Sequence, residues 1–91
     1  MMRATHDRPA LLLQVETYEL EGVNHYKLMV VWREDRHTIH EVHLAAHEVY
    51  ASPQAGHRVA ITYLMDTPLR VKLLREPPHS AVPRPGPEAQ V

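Results

Sequence analysis

Over most of its length the chain alternates apolar and polar side chains with a period of two, and short clusters of Gly, Asn, Asp and Pro interrupt the pattern. Period two is the signature of strands with one buried face, since an amphipathic helix returns its apolar positions every three to four residues. The clearest example is His57–Arg75. Val59, Ile61, Tyr63 and Met65 fall at every second position, with Arg58, Ala60, Thr62 and Leu64 between them. Asp66-Thr67-Pro68 stops the run, because Asp bonds its own downstream backbone and Pro has no N–H to give a ladder. Leu69, Val71 and Leu73 then resume it, with Arg70 and Lys72 facing away. Two strands joined by a tight turn are expected, entered through Gly56, which supplies a positive φ.

Taken in order, residues 1–9 are polar and close with Pro9, which reads as a flexible lead-in. Leu11, Leu13 and Val15 alternate with Leu12, Gln14 and Glu16, and Tyr18 and Leu20 follow, so a first strand is predicted over residues 10–20. Gly22-Val23-Asn24 reads as a turn. Tyr26, Leu28, Val30 and Trp32 then form one face of a second strand, and Trp32, the only Trp, reads as core. Residues 37–51 admit two readings. As a helix, Thr38 and Glu41 make a capping box, and Val42, Ala45, Ala46, Val49 and Tyr50 line one face. As a strand, Thr38, His40, Val42 and Leu44 alternate, and only the segment after Ala45 is a helical turn. Five of the eight Pro residues lie after Glu76, in a stretch with no periodic apolar face. Residues 77–91 are therefore expected to form a disordered tail behind a single β-rich domain at 10–76. The predicted core is Leu13, Val15, Leu28, Val30, Val59, Ile61, Tyr63 and Val71.

Trp32, Tyr50, Gly56, the strand Val59-Ala60-Ile61-Thr62-Tyr63, Pro68 and Leu73 together resemble an uncharacterised bacterial family of small β-rich domains, usually attached to membrane helices. The likeness covers about half the chain. It implies a five-stranded small barrel with residues 37–44 as the third strand, and it offers no catalytic residues. The expected fold is thus mainly β, a small five-stranded antiparallel barrel or sheet of SH3/OB-like type. One short helix precedes the last hairpin, and a ββαββ arrangement is the alternative.

Composition removes several functions. Without Cys there is no disulfide framework and no thiolate metal site. Ten basic against eleven acidic residues leave no surplus for a dedicated nucleic-acid binder. The N-terminus has no apolar signal core, and no apolar run approaches the roughly 20 residues of a membrane span, so a cytoplasmic protein without a membrane span in this chain is expected. Both serines, Ser52 and Ser80, sit in Pro-flanked loops without a nucleophile elbow, and three Gly cannot make a phosphate loop. No enzyme is expected. Eight His are the one excess, with His37, His40, His43 and His47 inside eleven residues. On a helix His40, His43 and His47 would converge as ligands for a divalent metal such as zinc; on a strand His40 points away from His43 and the group separates. The function expected is a non-catalytic protein-interaction module, with a protein partner or a homodimer bound through strand edges. A His-based metal-binding or pH-responsive protein is the alternative.

Overall fold

The computed structural model of the chain describes residues 4–75. The Pro-rich segment read as a disordered tail lies outside the described residues. Five strands form one antiparallel sheet: β1 (Thr5–Leu20), β2 (Val23–Trp32), β3 (Asp35–Ala45), β4 (Arg58–Leu64) and β5 (Thr67–Arg75), in the order β3-β2-β1-β4-β5. One 3₁₀ turn, Ala46–Glu48, follows β3. The fold is therefore mainly β, and the strand reading of residues 37–44 holds over the helical one. In that segment Val42 and Leu44 alternate inward, and the only helical turn is three residues long. Among the described residues no helix is long and apolar enough to cross a membrane.

The frame is set by β1, whose 16 residues are long enough to serve two ladders. Its Ala10–Leu20 portion pairs with β2, and its Thr5–Leu11 portion pairs with β4. Only Ala10 and Leu11 pair on both sides, with Trp32 and Val31 of β2 and with Val59 and Arg58 of β4. Thr5–Pro9, expected as a loose lead-in, is thus the N-terminal arm of β1. It lacks apolar periodicity because pairing with β4 and polar contacts hold it. Thr62 Oγ1 donates to Asp7 Oδ1 at 2.6 Å, and Lys72 Nζ lies 3.3 Å from Asp7 Oδ2.

The core face carries Leu12, Leu28, Val30, Val42, Leu44, Val59, Ile61 and Val71, all buried. Val15 and Tyr63 pack against this cluster and are only partly buried. Leu13 is corrected outright: it is 38 % exposed, while Leu12 is fully buried. The cause is a register shift between Leu12 and Gln14, where Leu12 faces Val30 and Gln14 faces Met29. Such a bulge adds one residue to a strand and flips the parity of everything beyond it. Ala10 and Leu12 point inward before the bulge, and Val15 after it.

Candidate functional site: the open edge of β5

The histidines expected as metal ligands are not brought together. His40 sits on the core face opposite Val30 and stacks on Trp32 with ring centroids 4.5 Å apart. Its Nε2 is buried without a hydrogen-bond partner. Arg8 also lies over the Trp32 ring, at 4.3 Å, and joins Glu34 at 3.1 Å. This packing makes Trp32 core. Tyr63 meets Trp32 edge-on, and burial raises its hydroxyl pKa against the opposing pull of Arg8.

His43 lies on the other face of β3, opposite Lys27. Its Nε2 bonds the Glu41 carboxylate, and its Nδ1 is 2.9 Å from the Tyr18 hydroxyl. With Nε2–H donating to Glu41, Nδ1 is the acceptor and the phenol the donor. The bond to His43 holds the Glu41 pKa below its ordinary value. His25 stacks on the same Tyr18 ring at 5.2 Å. His47 lies on the 3₁₀ turn. Among the described residues no three His, Cys, Asp or Glu side chains form a group able to hold a metal ion. The Glu41–His43–Tyr18 chain is exposed.

The strand edges offer more. Beyond Leu12, β1 pairs only with β2, and β3 pairs only with β2. β1 is therefore central in its N-terminal half and open only in its C-terminal half, where Glu16 and Glu19 stand. Along β5 the far edge is closed at one point. Val49 bridges to Val71 in parallel, and the Tyr50 N–H donates to the Val71 carbonyl at 3.2 Å. Because that carbonyl points away from β4, strand alternation points the Leu73 N–H and C=O the same way. No backbone partner meets them among the described residues. Leu73 and Leu74 are 37 % and 53 % exposed beside them, although Leu73 continues the inward alternation of Val71. All charged residues of β5 are basic: Arg70, Lys72 and Arg75. Sequence pattern signals the strand but not its open end, since the clasp through Val49 comes from a loop.

No protein-family model, no curated protein and no solved structure matches the chain.

Proposed function

We propose that the protein is a non-catalytic interaction module that binds an extended, acidic segment of another protein as an added strand along β5 from Leu73 to Arg75. The observation that carries this reading is the outward side of the Leu73 backbone, which meets no backbone partner among the described residues, beside the exposed Leu73 and Leu74 side chains on a strand with only basic charges. Main-chain bonds to an open edge supply affinity, and alternate side chains supply selectivity. The same basic charges repel a second copy of β5, since like charges facing each other across a ladder destabilise it. A segment with carboxylates at alternate positions and aliphatic residues between them fits this edge.

Titration of the full chain with a synthetic peptide of alternating Glu and Val, followed by amide chemical shifts, tests the proposal. Shifts should concentrate at Leu73–Arg75. Leu73→Pro removes the outward N–H at a position where an edge strand tolerates Pro, and should weaken binding by about tenfold or more. Unchanged binding by that variant, or shifts confined to β3, would refute the β5 edge. Light scattering runs alongside: mass that grows with concentration would replace the foreign segment with a homodimer joined through the open half of β1.

A further inference from the structure

A second feature lies where the two ladders of β1 overlap. A cleft of about 370 Å³ opens over Pro9, Ala10 and Leu11. Its wall carries Arg33, Arg36, Arg58 and Arg75 and, among the described residues, no acidic one. The backbone explains the convergence. The Arg33 N–H donates to the Pro9 carbonyl at 3.1 Å, which pins the β2–β3 turn and the start of β3 against β1. Arg58 stands opposite Leu11 on one side and opposite Arg75 on the other. Four arginines from three separate stretches of sequence therefore line one cleft beside the middle of β1.

None of the four takes part in an ion pair among the described residues. Among the described residues the acids nearest in sequence are engaged elsewhere, Glu34 by Arg8 and Asp35 by the His37 N–H; Glu76, which follows Arg75, lies outside the described residues. Arg58 directly opposite Arg75 is a like-charge pair, an arrangement that destabilises a ladder. A chain with net charge −1 thus gathers four of its ten basic residues at one site, none of them neutralised by an ion pair among the described residues. All four are Arg, whose planar fork grips carboxylate or phosphate through paired bonds in a way Lys cannot. Pro9 offers no N–H, so no backbone cradle is built and the side chains must make the contacts. The volume falls in the range of small-molecule sites, and Leu11 and Leu74 add an apolar wall.

We propose that this cleft is an oxyanion site for a small molecule carrying two or more phosphate or carboxylate groups. It shares Leu74 and Arg75 with the strand-addition edge but does not rest on that reading, because Arg33, Arg36 and Arg58 lie off β5. Calorimetric titration of the full chain with inorganic pyrophosphate, citrate and acetate tests it. Pyrophosphate or citrate should bind at low salt well ahead of acetate and weaken as salt rises. The double variant Arg36→Gln/Arg58→Gln should weaken that binding by about tenfold or more, whereas Arg70→Gln, outside the cleft, should leave it unchanged. Preference for pyrophosphate assigns a phosphate ligand, and preference for citrate a carboxylate one. Binding no tighter than that of acetate, or undiminished in the double variant, would overturn the site. If the acidic peptide alone engages the four arginines, as read from their Nε–H resonances, the cleft belongs to the protein partner and the small-molecule proposal fails. Leu73→Pro separates the two readings, since it disturbs the edge and leaves the anion site intact.

Discussion

Leu12 and Leu13 are the same residue type one position apart and so point to opposite faces, and the bulge between Leu12 and Gln14 decides that Leu12 is the one facing the core. Leu12 is fully buried against Val30 in the core, and Leu13 stands in solvent. Truncating a buried Leu costs its transfer energy and leaves a cavity, so Leu12→Ala should lose about 2–5 kcal/mol. Leu13→Ala should lose less than about 1 kcal/mol, as a surface substitution does. Urea denaturation of the two variants checks this, and comparable losses would place the bulge elsewhere. His40 is decided by similar parity. As a strand residue on the core face, its Nε2 is enclosed beside Trp32 and faces away from His43. An imidazole so placed cannot share a cation with a residue on the opposite face, which is why the count of histidines pointed to a metal that the geometry does not assemble.

At the scale of elements, alternation made β2, β4 and β5 legible, whereas residues 37–51 satisfied a helical and a strand period alike, and the strand was expected there only through the family resemblance. The N-terminal arm of β1 left no such trace, since Thr5–Pro9 is held by its ladder with β4 and by Asp7 rather than by apolar contact. The arginine cleft was invisible for a different reason: only register brings Arg33, Arg36, Arg58 and Arg75 together, and each alone reads as a charged strand end. The arm gives a pH prediction. The hydrogen bond from Thr62, and then Lys72, hold the Asp7 pKa below its ordinary value of 3.8. A carboxyl with a depressed native pKa stabilises the fold above its unfolded value, and the contribution is lost as pH falls through the native one. Asp7→Asn should therefore be less stable than wild type at neutral pH, by a margin that shrinks as pH falls below the ordinary carboxylate value and is lost once pH has fallen through the lowered native pKa of Asp7. Urea midpoints measured along that range check the closure. A margin independent of pH would assign the loss to shape rather than charge.

For the whole molecule, the sheet consists of two halves, β3-β2-β1 and β1-β4-β5, joined through the middle of β1, and its stability depends on what ties their far edges. That tie is the segment from Ala46 to His57. Val49 is buried in the core and bridges to Val71, and the Tyr50 N–H bonds the Val71 carbonyl. The Tyr50 hydroxyl lies 2.7 Å from His57 Nδ1. The segment returns to β1 where the Leu12 N–H donates to the His57 carbonyl and the Gly56 N–H donates to the Leu12 carbonyl. β5 has only β4 beside it otherwise, so weakening the tie should free β5 before it frees the rest. Val49→Ala should cost about 1–3 kcal/mol, the usual range for a core truncation of this size. Its mark should be local: amide exchange at Arg70 and Lys72, which pair with β4, should quicken by about tenfold more than at Leu28 and Val30 in the centre of β2. Leu28 and Val30 exchange only when the ladders separate, and β5 exchanges whenever its edge lifts. Equal acceleration at all four amides would show that the sheet opens as one cooperative unit and that the tie holds the whole fold rather than one strand.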